Sequence, residues 1–507
     1  MTASHYSLSN VRKAIFHFVV GRGASAVAGV ASVVLLARNM DTPAYAGYIA
    51  VTSLILLVSM FANLGLERAA TRFVPEARMH RGASELLSFV WKLACLRLAI
   101  VLVFAGGLIL LWPSVTRLFS RAIALPVIPW SVPIFLVATT TFSLFSSILQ
   151  ALLEQKTLTR LILVQSVGRL GLIAFFLAVY GHVTLDQSLW VMAAPELVAA
   201  VGTAMVTLVI LRRNRAASAQ PQGAWPNWRE VWHIAVHSYG FNILAMLPQG
   251  SFMRTLIAAT FPPHITAAYG FFSTLMDRIR SYLPMQFMYN LIEPVMVASY
   301  LANPDPQALA RRSHIILKAN VLLLLSALIL VFIAGEPLIN LLTDGKYGAE
   351  YWMLSLLLVQ VTIGSHVLAL QLFFNTLKAT QLLSMSGLGA LAVMAVGVWL
   401  SYLDPSRYWL LACPILYEVA MNAIAIYLAE KKGIAYALPM GNYIKLGLLS
   451  LGLILAAKIS FVRMAADMQN QLFMGLAAVG LFCVLSFKLG AITQNEVEMV
   501  KRLAVRK

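Results

Sequence analysis

Apolar runs long enough for a helix to cross a bilayer, about 20 residues each, recur from one end of this chain to the other, separated by short polar or Pro/Gly-rich breaks. A single globular core has no use for so many. Backbone N–H and C=O groups in hydrocarbon must pair within their own segment, so the runs have to be helices. The chain has 507 residues, of which 60% are hydrophobic and 11% charged. Soluble domains carry roughly 25% charged residues, so too few charges are present here to dress a water-facing surface. The reading is an all-α polytopic membrane protein.

Charged and Pro/Gly-rich breaks divide the chain into about fourteen spans: 14–37, 44–66, 88–112, 127–150, 158–180, 187–211, 229–260, 266–300, 314–335, 351–375, 382–403, 407–429, 440–461 and 470–490. The net charge of +18 gathers in alternate connections, among them "VRK", "RFVPEARMHR", "EQKTLTR", "RRNR", "RRSHIILK" and "EKK". The opposite set, such as "YGHVTLDQ" and "GEPLINLLTDGKYGAE", is neutral or acidic, with "RLFSRA" at 117–122 the exception. This asymmetry places both termini in the cytoplasm and makes anionic lipid headgroups, rather than nucleic acid, the counter-charge. The break "RRNRAASAQPQGAWPNW", 212–228, reads as a cytoplasmic linker. It separates an N-terminal six-helix lobe, 1–211, from a C-terminal one, 229–430. Two further helices and a basic tail occupy 431–507.

Several chemistries are excluded. No connection is long enough to fold as a catalytic domain, and no phosphate-binding loop of the G-x-x-x-x-G-K-[ST] type is present. Cys95, Cys413 and Cys483 sit singly in apolar surroundings, and no H-E-x-x-H or Cys/His cluster points to a metal. His233 and His237, four apart, are read as interfacial. Arg22 interrupts the first apolar run ahead of "ASAVA", so that run reads as an uncleaved anchor. Neither a metal nor a cofactor is expected.

The informative residues are the charges inside the spans. Each costs at least about 2.5–3.5 kcal/mol near the bilayer centre, so it must face a polar cavity or a partner. Arg22 lies about 12 Å into the first span, beside a small-residue seam of Gly21, Ser25 and Gly29. The seventh span, "NILAMLPQGSFMRTLIAAT", weakens its helix at Pro248 and Gly250 just before Arg254, and such interrupted helices mark transporter sites. In the eighth, Asp277 and Arg280 are spaced to pair, while Arg278 points away and Glu293 follows. Arg169 and Glu196, in the fifth and sixth spans, are suited to pair, and Glu196 is also a candidate protonation site. Arg22, Arg169, Arg254 and Arg278 form a cationic set. Arginine's planar fork matches phosphate, which points to a carrier of an anionic, phosphorylated substrate.

The stretch "LARNMDTPAYAGYIAVTSLILLVSMFANLGLERAATRFVPE", Leu36 to Glu76, resembles the polysaccharide flippases of the multidrug/oligosaccharidyl-lipid/polysaccharide exporter superfamily. Leu36-Ala37-Arg38, Ala46-Gly47-Tyr48, Leu64-Gly65-Leu66, Ala69 and Arg72 carry the match. Asp277, Arg278 and Pro284 resemble the superfamily's eighth helix, with the Arg-to-Pro spacing one residue longer. The resemblance implies two six-helix lobes around a cationic cavity, alternating access, and a polyprenyl-diphosphate-linked glycan as substrate in a bacterial inner membrane. Glycosyltransferases and a polysaccharide polymerase are the implied partners. Glu67, Arg68 and Arg72, read as continuing the second helix past its apolar end, stand at the cytoplasmic entrance. A multidrug exporter of the same superfamily is the alternative, disfavoured because arginines rather than carboxylates dominate the spans. A membrane enzyme of polysaccharide assembly would need a larger external loop.

Overall fold

The computed structural model describes residues 8–80, 83–119, 127–152, 154–213, 228–246, 250–286, 300, 305–377, 379–404, 408–434, 436, 440–464 and 468–491, and among them helix is the only regular structure. They form two compact units, Met1–Phe271 and Phe272–Lys507. The linker expected at 212–228 lies almost wholly outside the described residues.

The first unit is built from α1 (Leu8–Asn39), α2 (Thr42–Ala62), α3 (Leu66–His80), α4 (Ala83–Leu110), α5 (Trp112–Leu118), α6 (Ser131–Ala151), α7 (Gln155–Tyr180), α8 (Leu185–Arg213), α9 (Trp228–Met246), α10 (Ser251–Thr260) and the start of α11 (Pro263–Arg280). Helix α8 packs on α6 and α7, α1 on α7, and α2 on α6, α4 and α8. The second unit holds α12 (Pro306–Thr343), α13 (Tyr351–Thr376), α14 (Gln381–Leu403), α15 (Trp409–Lys431), α16 (Met440–Met464) and α17 (Met468–Lys488). Here α12 packs on α13, α16 and α17, and α15 on α13 and α14.

Among the described residues, eleven helices are long and apolar enough to span a membrane: α2, α4, α6–α8 and α12–α17. They match the second to sixth and ninth to fourteenth spans of the sequence. Their outward faces carry bare apolar side chains, such as Val164, Val167 and Phe175 on α7 and Val393, Val396 and Trp399 on α14, as hydrocarbon demands. Several hydroxyls inside the spans are satisfied within their own helix: Thr52 donates to the Tyr48 carbonyl, Thr140 to Leu136 and Ser365 to Val361.

Two local readings of the sequence change, and the interruption expected in the seventh span is present. The chain does not run straight from α2 into the charged stretch behind it. Leu64 (φ 45°) and Gly65 (φ 73°) turn left-handed, and α3 starts afresh as a separate helix. The seventh span is two helices, α9 and α10, with Gly250 at φ 48° on the break. Finally, α12 runs on to Thr343, bent at Ala334 (φ −127°, ψ 20°), so the first half of "GEPLINLLTDGKYGAE" is helix rather than loop. Pro337 supplies the reason for that bend, since its ring displaces the carbonyl four residues earlier and no N–H replaces the lost bond.

Candidate functional site

Helix α3 explains the family-like stretch. Leu66, Ala69, Ala70, Phe73, Val74 and Ala77 recur at helical spacing and are all buried. They join Phe89 and Leu93 of α4, Ile148 of α6 and Ala235 of α9 in one apolar cluster. Gly65 is required at the elbow for two reasons: its positive φ, and the Ala235 backbone that any Cβ would strike.

The elbow is held by an arginine that the sequence reading passes over. Arg97 of α4 is only 2% exposed. Its Nη1 donates to the Ala62 carbonyl at 2.8 Å, its Nε and Nη2 to the Thr140 carbonyl at 3.3 Å, and its Nη2 to Glu67 Oε1 at 3.4 Å. The Ser143 hydroxyl donates to the same carboxylate oxygen, and the Tyr239 hydroxyl to the Phe61 carbonyl at 2.8 Å. Helix-end carbonyls that α2 cannot satisfy itself are thus covered. Arg97 lies as deep in its span as Arg22 does in the first, but its partner stands on another helix. The signal that reveals it is Glu67, a carboxylate in need of a cation.

The three entrance residues therefore differ. Glu67 turns inward to the elbow, while Arg68 and Arg72, one helical turn apart, are exposed together. Glu76 and Arg78 lie on the same helix, with side chains outside the described set.

Arg254 lies on α10, 6% exposed, and α10 packs against α2. Its Nε donates to Ser53 Oγ at 3.2 Å and its Nη2 to Ser251 Oγ at 3.4 Å. Ser53 sits at mid-length in α2, which places the guanidinium well inside the bundle. The side chain of Arg22 lies outside the described set.

Arg169 of α7 and Glu196 of α8 form the ion pair their positions suggest, and Gln165 donates to the same Glu196 oxygen. Gly168 lets Pro195 come close between them, 3.4 Å from the point where a Cβ would stand. Glu196, the lone carboxylate of its span, is thus hydrogen-bonded twice.

In the second unit, Asp277 is exposed and Arg278 and Arg280 are half-buried in the last turns of α11. Arg280 lines a narrow cleft with Gln286, Asn320 and Ser365. Asn320 bridges the chain there, accepting from the Met285 backbone N–H at 3.2 Å and donating to Ser365 Oγ at 2.7 Å. Glu293 is outside the described residues.

Residues 11–296, more than half of the chain, match the family model described as polysaccharide biosynthesis protein. The chain belongs to this family. Solved membrane transporters share its fold. The inward closed conformation of the lipid II flippase MurJ matches with a TM-score of 0.66 at 12% identity, over 93% of this chain and 98% of that one. An inward-facing multidrug resistance MATE family transporter matches with a TM-score of 0.58 at 12% identity, over 87% and 96%. The bent form of the Vibrio cholerae MATE transporter VcmN reaches 0.51 at 16% identity, over 84% and 97%. No curated protein matches the sequence significantly. The family places the chain in polysaccharide biosynthesis, and its fold is shared with a lipid flippase and multidrug transporters.

Proposed function

We propose that the protein is a secondary flippase that carries a polyprenyl-diphosphate-linked oligosaccharide, an exopolysaccharide or O-antigen repeat unit, from the cytoplasmic to the periplasmic leaflet of a bacterial inner membrane. It does so by alternating access between lobes 1–211 and 229–430, with both termini cytoplasmic and no covalent chemistry. Arg22, Arg254 and Arg278 take the diphosphate while the prenyl tail stays in lipid. Arg169 is balanced by Glu196 and serves the frame of the site. Arg68 and Arg72 meet the incoming headgroup. Polymerase and glycosyltransferases supply and consume the substrate.

The observation that carries the substrate class is Arg254. A guanidinium buried beside serine hydroxyls, at a break between two helices, offers charge-assisted donors to an anion. The exporter folds of the superfamily match over similar lengths, so the fold does not separate glycan from drug; the sign of the buried charge favours the glycan. The test is complementation of a flippase-null strain. Arg254→Ala, at normal protein level, is expected to abolish surface polysaccharide and Arg254→Lys to restore part of it. Normal surface polysaccharide with Arg254→Ala contradicts the proposal.

A further inference from the structure

Many buried hydroxyls in the first unit turn back on their own helix. Ser32 donates to the Ala28 carbonyl at 2.8 Å, Thr52 to Tyr48 at 2.6 Å, Thr203 to Ala199 at 2.9 Å and Thr207 to Thr203 at 2.7 Å. Ser53, beside Thr52 on α2 and only 1% exposed, behaves differently. Among the described residues its hydroxyl has one hydrogen-bond partner, and that partner is Nε of Arg254 on α10, at 3.2 Å.

The geometry of the guanidinium gives this contact a meaning. The group is planar, and its Nε–H and the nearer N–H of Nη2 lie along one edge. Both serines sit on that edge: Ser53 Oγ accepts from Nε, and Ser251 Oγ accepts from Nη2 at 3.4 Å. They are not equivalent. Ser251 stands one turn before Arg254 on the same short helix and moves with it. Ser53 belongs to α2, against which α10 packs. It therefore ties the guanidinium to a second helix, while Met253, Ile257 and Ala258, each 0% exposed, keep α10 itself in place. Without that tie, rotation about the last side-chain bonds would swing the opposite edge, Nη1 with the far N–H of Nη2, through a wide arc.

We propose that Ser53 is a positioning residue for Arg254. By holding the Nε edge it sets the direction of the opposite edge, the one that makes paired hydrogen bonds to two oxygens of a phosphate. The inference rests on the reading that Arg254 takes the diphosphate, and it names the group that orients that arginine. Ser53 acts through the guanidinium and not on the substrate. A lysine ammonium is a point charge with no plane to aim, so Ser53 matters to transport only while arginine stands at position 254.

Proteoliposomes test this. They hold a polyprenyl-diphosphate-linked oligosaccharide at several densities, and a membrane-impermeant glycosidase reads its exposure, which yields a half-saturating density and a maximal rate. Ser53→Ala is expected to raise the half-saturating density about tenfold, with the unfolding midpoint in detergent near wild type. Ser53→Thr keeps the hydroxyl and is expected to stay close to wild type. In the weakened Arg254→Lys protein, adding Ser53→Ala is expected to change nothing further. A wild-type half-saturating density in Ser53→Ala overturns the proposal, as does Ser53→Thr no better than Ser53→Ala. An equal loss from Ser53→Ala in the arginine and lysine backgrounds overturns it too, since that is the mark of packing alone. Should Ser53→Ala lower the unfolding midpoint, the same comparison still decides, because a packing loss is common to both backgrounds. Wild-type flipping by Arg254→Ala sinks instead the reading of Arg254 as the diphosphate ligand, whatever Ser53→Ala does.

Discussion

Arg169 and Glu196 show what a charge inside a span can mean. Each alone is costly in hydrocarbon; together, with Gln165 on the same carboxylate oxygen, they compensate each other between α7 and α8. Removing one partner leaves the other buried and uncompensated, which costs about 3–5 kcal/mol, whereas replacing both by apolar residues costs far less. Thermal unfolding in detergent is expected to show Arg169→Leu and Glu196→Leu each strongly destabilised and the double variant near wild type. Additive losses contradict a mutual pair. This pair was legible in the sequence because both residues stood out as lone charges in adjacent spans. Arg97 was not, since "LACLRLAIVLVF" hides its partner 30 residues upstream on another helix, and only the fold brings the two together.

Among elements, the α2–α3 elbow is the most tightly specified. Glu67, read from the sequence as part of an entrance, is 24% exposed and bound to Arg97, so "LGLER" encodes a turn first. The left-handed Leu64 and Gly65 end α2, Ala235 leaves no room for a Cβ, and Arg97 covers the freed carbonyls. Both Gly65→Ala and Arg97→Ala are expected to lower thermal stability. The first carries about 1–2 kcal/mol from the left-handed backbone alone, beyond the clash with α9. The second leaves the Ala62 carbonyl without its donor and the half-buried Glu67 without its cation, at about 1–3 kcal/mol. Unfolding midpoints unchanged in both variants contradict the elbow's structural role. Hydropathy showed where the helices are, but not this break: "FANLGLERAA" keeps helical periodicity across it, and only backbone dihedrals reveal that the chain turns.

Over the whole molecule, length and hydropathy made the class readable, and eleven helices among the described residues bear the expected length and apolarity. The family signature at Leu36 to Glu76 was readable as well, and residues 11–296 belong to that family. The charges picked out inside the spans differ in how they are held. Arg254 emerges buried against Ser53, where Pro248 and Gly250 had pointed, because a broken helix and an intramembrane arginine both leave marks in one sequence window. Clusters spread over distant windows leave none: His366 of α13 meets Asn422 of α15 and Tyr436 of the connection behind it. The account stands on transport itself. In proteoliposomes holding a polyprenyl-diphosphate-linked oligosaccharide, a membrane-impermeant glycosidase reads how fast the inner-leaflet pool becomes accessible. Wild-type protein is expected to expose that pool far faster than protein-free vesicles, and Arg254→Ala to remove the gain. Exposure at the protein-free rate with folded wild-type protein would contradict the account.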